Sequence, residues 1–388
     1  MDRKLRYAMV GGGPGAFIGA VHRMAAALDG ESEIVAGAFS SSAEKSAETG
    51  RELHLDPARV YGSWQEMLKS ESERTTDRID YVSIVTPNFL HHPIAKAAME
   101  AGFNVICDKP MTMTVEESED LCRVVAASGC IFALTHNYTG YPMVKQARRM
   151  VADGELGEIR KIVVEYPQGW LSTLLEATGQ KQAAWRSDPA KAGVSSALGD
   201  VGTHCENLVH YITGLEMDEM IADLSTLVEG RALEDDASVL IRYRGGARGI
   251  LYCSQISIGE ENNLTIRIYG TQAALEWKQE HPNWLYMKFA DRPEQILKRG
   301  NSYLGEEAAA ATRLPAGHPE AFIEAFANVY KNAARTIKAR IEGREPSEAD
   351  LDFPTVQDGA RGVQFIHTAL RSSQARAWVD AFYTPPEK

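Results

Sequence analysis

At 388 residues the chain is longer than one ordinary core covers, so two domains are expected. Its 44% hydrophobic and 24% charged residues are the make-up of a soluble globular protein. A net charge of −12 with no Lys/Arg run excludes phosphate backbones and anionic membranes, so neither nucleic acid nor membrane is an expected partner.

The five cysteines are odd in number and none are spaced as C-x-x-C, which argues against a disulfide framework or a zinc knuckle. They point instead to a reducing, cytoplasmic setting. Charged Met1-Asp2-Arg3-Lys4 leads directly into a short apolar strand, without a signal-peptide core, and no stretch approaches a membrane span.

Strand and helix alternate through the first part of the chain. Strands are predicted at 7–10, 33–39, 81–85, 104–107 and 130–135, with helices at 20–28, 42–53, 64–69, 93–101 and 115–128. Apolar strands separated by amphipathic helices require crossovers, hence a parallel sheet covered on both faces. After about residue 138 the pattern becomes alternating: 159–166, 237–243, 249–257, 264–269, 274–277 and 284–289 read as an antiparallel sheet with one covered face. A helix at 199–212 is expected against it. Residues 291–318 read as a long irregular surface excursion, followed by helices at 319–341 and 355–373. The expected architecture is an α/β Rossmann domain (1–137) plus an α+β domain (138–388) with an open, mostly antiparallel sheet, the terminal helices able to pack back on the first domain.

Gly11-Gly12-Gly13-Pro14-Gly15-Ala16-Phe17-Ile18-Gly19 follows a strand and opens a helix. There, Gly11, Gly13 and Gly15 let the backbone approach a pyrophosphate that the helix start at Phe17 and Ile18 would meet. The alternative is an ordinary tight turn; the position at the head of a β/α repeat favours a dinucleotide. The spacing departs from G-x-G-x-x-G. The second strand ends in Ser40-Ser41-Ser42, where no acid waits for the ribose hydroxyls, and with Lys45 nearby either NAD or NADP is admissible.

Ligands of an open α/β sheet sit at the carboxyl ends of its strands. Thr86-Pro87-Asn88 with His91, Asp108-Lys109-Pro110 and His136-Asn137-Tyr138 all fall there. Lys109, between a strand end and a proline, has little freedom and could polarise a hydroxyl. Asp200 and His204 are four apart, on one face of the predicted helix. Histidine supplies a base near neutrality, and a carboxylate one turn away can fix its tautomer. A metal set of Asp200, His204 and His210 is disfavoured, because His210 lies about 240° around a 3.6-residue helix from His204. No metal is expected.

Taken in order, the glycine loop with Val21-His22, Thr86-Pro87-Asn88, Asp108-Lys109-Pro110, Trp185-Arg186-Ser187-Asp188-Pro189, Gly199-Asp200-x-x-x-His204 and Pro354-Thr355-Val356-Gln357-Asp358-Gly359 resemble the glucose-fructose oxidoreductase / inositol dehydrogenase / rhizopine catabolism (Gfo/Idh/MocA) family over essentially the whole chain. The family's Glu-Lys-Pro stands here as Asp108-Lys109-Pro110, which keeps the lysine. The resemblance implies an active site between the domains, with Lys109 orienting a hydroxyl and His204 and Asp200 handling its proton. Asp108, Asn137, Trp185 and Arg186 join the expected cofactor contacts. It also implies a homodimer or homotetramer formed through the second sheet. Segments 137–142, 168–171 and 317–320 are similar to those of levoglucosan (anhydrosugar) dehydrogenases, which tilts the cofactor towards NAD.

A sugar pocket needs an aromatic platform and fixed polar groups. Tyr138, Tyr166, Gln168, Trp170 and Arg186 are the candidates beside Lys109, Asp200 and His204, although each taken singly would more often be ordinary packing. The function expected is oxidation of a secondary hydroxyl of a sugar, anhydrosugar or cyclitol. A sugar or dinucleotide sensor and an NAD-assisted glycoside-cleaving enzyme remain open alternatives.

Overall fold

The computed structural model describes residues 3–386. In chain order it begins β1 (Leu5–Gly11), α1 (Phe17–Leu28), β2 (Ser32–Ala38), α2 (Ala43–Glu52), α3 (Trp64–Ser72), β3 (Tyr81–Val85), α4 (His91–Glu100), β4 (Asn104–Cys107), α5 (Val115–Ser128) and β5 (Phe132–Leu134). These strands form a parallel sheet in the order β2-β1-β3-β4-β5. All five residues of β3 are buried, as a strand with helices over both faces requires. Ser42, Ser63 and Thr114 accept from backbone N–H groups at the starts of α2, α3 and α5, and Glu117 completes a capping box with Thr114.

The chain continues through α6 (Pro142–Ala152), β6 (Ile159–Pro167), α7 (Lys181–Arg186), α8 (Pro189–Ala192), α9 (Thr203–Thr213), β7 (Met217–Ser225), β8 (Asp236–Tyr243), β9 (Arg248–Ser254), β10 (Thr265–Gly270), β11 (Ala273–Lys278), β12 (Trp284–Phe289) and β13 (Gln295–Lys298). It closes with α10 (Glu306–Ala310), α11 (Phe322–Glu342), α12 (Val356–Ala375) and β14 (Val379–Asp380). The second sheet has nine strands in the order β13-β12-β11-β10-β6-β9-β8-β7-β14. It is antiparallel except between β6 and β9, which run parallel because the long excursion through α9 separates them. Cys205, Leu208, Val209 and Ile212 of α9 pack on Val239, Leu251 and Cys253 of the sheet. The other face stays open.

The expected helix at 199–212 is two structures. A π-helical turn, Leu198–Gly202, precedes α9. Glycine at 202 lets the turn pack closely: a Cβ there would lie 2.7 Å from Leu198 Cδ1 and 3.0 Å from Cys253 Sγ, and those side chains would have to shift.

Residues 291–318 are not the irregular excursion expected. They hold β13 and α10, and are pinned by buried Arg299, whose guanidinium donates to Glu320 (2.8 Å) and to the carbonyls of Leu314 (2.8 Å) and His318. Arg313 then ties the segment to Asp29 beside α1 (2.7 Å).

The last two long helices return to the first sheet. Phe326, Tyr330, Ala333 and Ile337 of α11 share a core with Leu5, Tyr7, Met9 and Val21, while Val356, Ala360 and Val363 of α12 join the core on the opposite face. Tyr330 Oη sits 2.7 Å from His22 Nδ1 and 2.8 Å from Ser83 Oγ, so α11 is bonded into the sheet's interior.

Candidate active site

A cavity of about 1110 Å³ lies between the carboxyl ends of the parallel strands and the inner face of the second sheet. Its outer half is built on the glycine loop. Gly11 adopts φ +89, and a Cβ at Gly13 would lie 2.6 Å from the Phe39 carbonyl oxygen, so the backbone approaches β2 as no larger residue allows. At the start of α1 no side chain caps the helix and no acid occupies its first turn, which leaves its N–H groups and dipole facing the cavity. Lys45, Lys109, Lys181, Arg186 and Lys191 line the cavity against only Asp108 and Asp200, a positive surplus inside a chain of net charge −12. Such a wall suits an anionic pyrophosphate. Asn88 Oδ1 and Asn137 Nδ2, both from wall residues, are buried without a partner and can serve as polar contacts to a cofactor. The residues present therefore fit a dinucleotide. Lys181 Nζ reaches the Pro14 carbonyl (3.0 Å), drawing α7 across the loop.

The inner half centres on Lys109. Its Nζ donates to the Asp200 carbonyl (2.5 Å) and to Asp200 Oδ1 (2.7 Å). The other carboxylate oxygen accepts from Arg186 Nε (3.1 Å) and Gln255 Nε2 (2.9 Å). Burial opposes the Asp200 charge, but the Lys109 and Arg186 cations outweigh it and hold the carboxyl well below the usual carboxylate range. Asp108 accepts from the Lys109 backbone N–H and the Thr135 hydroxyl, both at 2.9 Å, which fixes the turn carrying the lysine.

His204 stands beside this pair with its ring edge-on to Tyr138, centroids 4.6 Å apart. Burial, then the Lys109 charge and His136, push its imidazole well below the ordinary range. The ring is neutral at physiological pH. Asp200 was expected to fix its tautomer, but the π turn redirects the carboxylate to Lys109, Arg186 and Gln255. The partner of His204 Nδ1 is His136 Nδ1, at 3.5 Å.

A polar network closes the inner end. Tyr138 and Tyr166 hydroxyls are 2.5 Å apart, Tyr166 donates to Asn262 Oδ1 (2.6 Å), and Gln168 Nε2 donates to the same oxygen (2.8 Å). Burial raises both phenols, that of Tyr138 to about 12, so they remain neutral hydroxyls.

Of the residues expected from sequence, Gly11, Gly13, Phe17, Ile18, Ser40, Ser41, Lys45, Thr86, Asn88, Asp108, Lys109, Asn137, Tyr138, Tyr166, Gln168, Trp185, Arg186, Asp200 and His204 share this wall. Gly15, His91 and Trp170 are not among its lining residues. His91 is buried with its ring nitrogens 2.8 Å from the carbonyls of Pro110 and Thr86, bracing the two loops behind the wall. Asn262, Gln279 and Lys181 line the cavity without having been anticipated. Asn262-Asn263 precedes β10 as two polar residues in a turn, and only strand register brings the first inward. Among the described residues no group of His, Cys, Asp and Glu is placed to hold a metal ion.

A Rossmann sheet with an open glycine-loop helix, facing a lysine, a carboxylate and a neutral imidazole, defines a dinucleotide-dependent oxidoreductase. The comparisons narrow the class. The family model described as "Oxidoreductase family, NAD-binding Rossmann fold" matches residues 5–136, and the GFO/IDH/MocA C-terminal domain matches 144–276. The chain belongs to the Gfo/Idh/MocA oxidoreductase family. It is 37% identical over 387 residues to the oxidoreductase YfiI of Bacillus subtilis, covering 98% of each chain. It is 29% identical to levoglucosan dehydrogenase of Pseudarthrobacter phenanthrenivorans, over 86% of this chain and 88% of that one. An inositol dehydrogenase homologue from Azotobacter vinelandii, solved with NAD+, superposes with a TM-score of 0.94 at 38% identity, covering 98% of both chains. The same homologue has also been solved with NADH and myo-inositol.

Proposed function

We propose that the chain is an NAD-dependent dehydrogenase that oxidises a secondary ring hydroxyl of a neutral sugar, anhydrosugar or cyclitol to a ketone. The observation that carries this reading is the Lys109–Asp200 contact (2.7 Å) set beside the neutral ring of His204. Asp200 holds Lys109 in place, so the ammonium can donate to the substrate oxygen and keep it in one orientation. His204 takes the hydroxyl proton. Bound NAD supplies the acceptor for the hydride. Lys109 and Arg186 both spend their charge on Asp200, so the inner cavity offers neutral donors and acceptors: Tyr138, Tyr166, Gln168 and Asn262. That chemistry suits hydroxyls better than a phosphate or carboxylate. It agrees with the inositol and levoglucosan dehydrogenase relatives.

In this reading residues 1–137 hold the dinucleotide, and 138–388 supply the substrate wall and the subunit contact. The open face of the second sheet exposes Leu240, Tyr269, Trp284 and Ile296, which supports self-association through that face. Five unpaired, buried cysteines agree with a reducing, cytoplasmic setting, and among the described residues no helix is long and apolar enough to cross a membrane. The test is NADH absorbance during incubation with NAD or NADP and a panel of inositols, aldoses and anhydrosugars. Net NADH accumulation with a neutral polyol is expected; no accumulation with any of them would reject the dehydrogenase reading.

A further inference from the structure

Two buried titratable groups behind the cavity wall have no part in the mechanism above. His136, 2% exposed, follows β5 and presents Nδ1 to His204 Nδ1 at 3.5 Å. Glu206, 7% exposed, lies on α9 two residues beyond His204, and its Oε2 is buried without a hydrogen-bond partner. Neither lines the main cavity. Both point to one place. A Cβ built on Gly362 of α12 would meet Glu206 Oε2 at 4.0 Å, His136 Nε2 at 4.0 Å and Thr203 Cγ2 at 3.9 Å. The glycine thus leaves a space that an imidazole nitrogen and a carboxylate oxygen share.

We propose that His136 and Glu206 form an inward proton store, in which the proton taken by His204 passes to His136 and, through a water beside Gly362, to the Glu206 carboxylate. The inference rests on the dehydrogenase reading above. Before turnover, above about pH 8, His204 carries its proton on Nδ1, His136 on Nε2, and Glu206 is ionised. The substrate O–H bond breaks as His204 Nε2 takes its proton, and the substrate C–H electron pair leaves as hydride to NAD. The His204 Nδ1 proton moves to His136 Nδ1, and the His136 Nε2 proton moves through water to Glu206. Both rings end neutral and only Glu206 changes charge. Once the ketone leaves and the cleft opens, the hops reverse and His204 delivers the proton to bulk water.

The surroundings suit a group that alternates between charged and neutral. Burial, then Asp358, raise the Glu206 carboxyl to about 8, against the lowering effect of Arg361. Arg361 is itself paired with Glu216 (2.9 Å); Tyr243 of β8 also faces Glu206, and His210 of α9, Glu216 and Tyr383 line a small cleft with it. A carboxyl poised near neutrality exchanges protons with little driving force either way.

Infrared titration of the full-length protein tests the link without any substrate. A protonated-carboxyl band that Glu206→Gln removes should shift its midpoint by about half a pH unit or more in both His136→Asn and Gly362→Ala. The Gly362→Ala methyl meets its neighbours at ordinary contact distance and sits inside a helix, so its melting temperature should not fall. A midpoint unmoved in both variants overturns the link. The kinetic arm uses NAD with myo-inositol and with levoglucosan at about pH 9, where Glu206 starts ionised, rapidly mixed with a pH-indicator dye. NADH should appear before the bulk proton in the wild type. In Glu206→Gln the two should coincide, with kcat lowered about tenfold and KM little changed. Simultaneous appearance in the wild type, or an unaltered Glu206→Gln, overturns the store. If no polyol yields NADH the dehydrogenase reading fails, and the infrared shifts alone decide whether His136 and Glu206 are coupled.

Discussion

Lys109 and Asp200 are joined twice: the lysine ammonium binds both the carbonyl and a carboxylate oxygen of the same aspartate, at 2.5 and 2.7 Å. A lysine held at two points cannot follow the substrate; the substrate must come to it. Because one of those contacts is to backbone, replacing Asp200 removes the charge partner while leaving part of the positioning.

Lys109→Ala should therefore lower kcat by about 10²- to 10³-fold, the usual scale for losing a fixed donor to a reacting oxygen. NAD affinity should change far less. Asp200→Asn should fall between wild type and Lys109→Ala. Steady-state kinetics and cofactor fluorescence titration decide this. A loss of NAD binding larger than the loss of turnover would reassign Lys109 to the cofactor.

His204→Ala should reduce turnover by about 10²- to 10⁴-fold while the variant still binds NAD. The ring packs edge-on to Tyr138 and His136, so some loss of stability accompanies it. His204→Gln, closer in volume, controls for that packing. Wild-type turnover in a folded variant would remove His204 from the chemistry.

The cofactor pocket has Ser40 and Ser41 just past β2 and Lys45 in the first turn of α2, and its only acids, Asp108 and Asp200, belong to the inner half. Nothing there repels a 2′-phosphate. NADP should accordingly support measurable turnover beside NAD. Ser40→Asp should weaken NADP by tenfold or more, about 1.4 kcal/mol, with a smaller effect on NAD. Parallel KM measurements with both cofactors provide the check.

Stability should peak near pH 7, about where the protons on four unfolded-state histidines balance the one kept by Glu206. Burial lowers the folded-state values of His22 (to about 4), His136 (to about 3), His91 and His204. The unfolded chain thus binds more protons below about 6.5, and each histidine can remove up to about 1.4 kcal/mol per pH unit as pH falls. Glu206 acts in reverse: its carboxyl, raised to about 8, keeps a proton that the unfolded chain releases above about 4.5, so its contribution declines as pH rises. Above about pH 7 the histidine contributions fade and Glu206 dominates the slope. Melting temperatures from pH 5 to 8.5 (about the span of these titrations) should trace a dome, and Glu206→Gln should flatten its alkaline side. An alkaline slope unchanged in that variant would show that Glu206 ionises normally.

The Rossmann half could be read from sequence because its strands are continuous apolar runs: 81–85 and 104–107 match β3 and β4 residue for residue. Lys109, Asp200 and His204 were legible because a strand end, a proline and a short spacing mark them locally. What failed was local geometry that depends on distant atoms. The four-residue spacing of Asp200 and His204 implied one α-helical face, but the chain takes a π turn there. His136 lies 68 residues from His204, and Asn262 lies 94 from Gln168. No periodicity links such pairs. The stretch 291–318 looked unstructured because Arg299, which organises it, finds its carboxylate at Glu320, beyond the polar segment.

The hydroxyl of Tyr330, shared between His22 and Ser83, makes the two ends of the polypeptide interdependent. One face of the nucleotide-binding sheet is only partly covered, by α1, until α11 has been synthesised and docked. A fragment stopping near residue 137 would expose Leu5, Met9 and Val21 to water and should aggregate. Co-expression with a peptide spanning 319–375, which contains both returning helices, should restore it to solution.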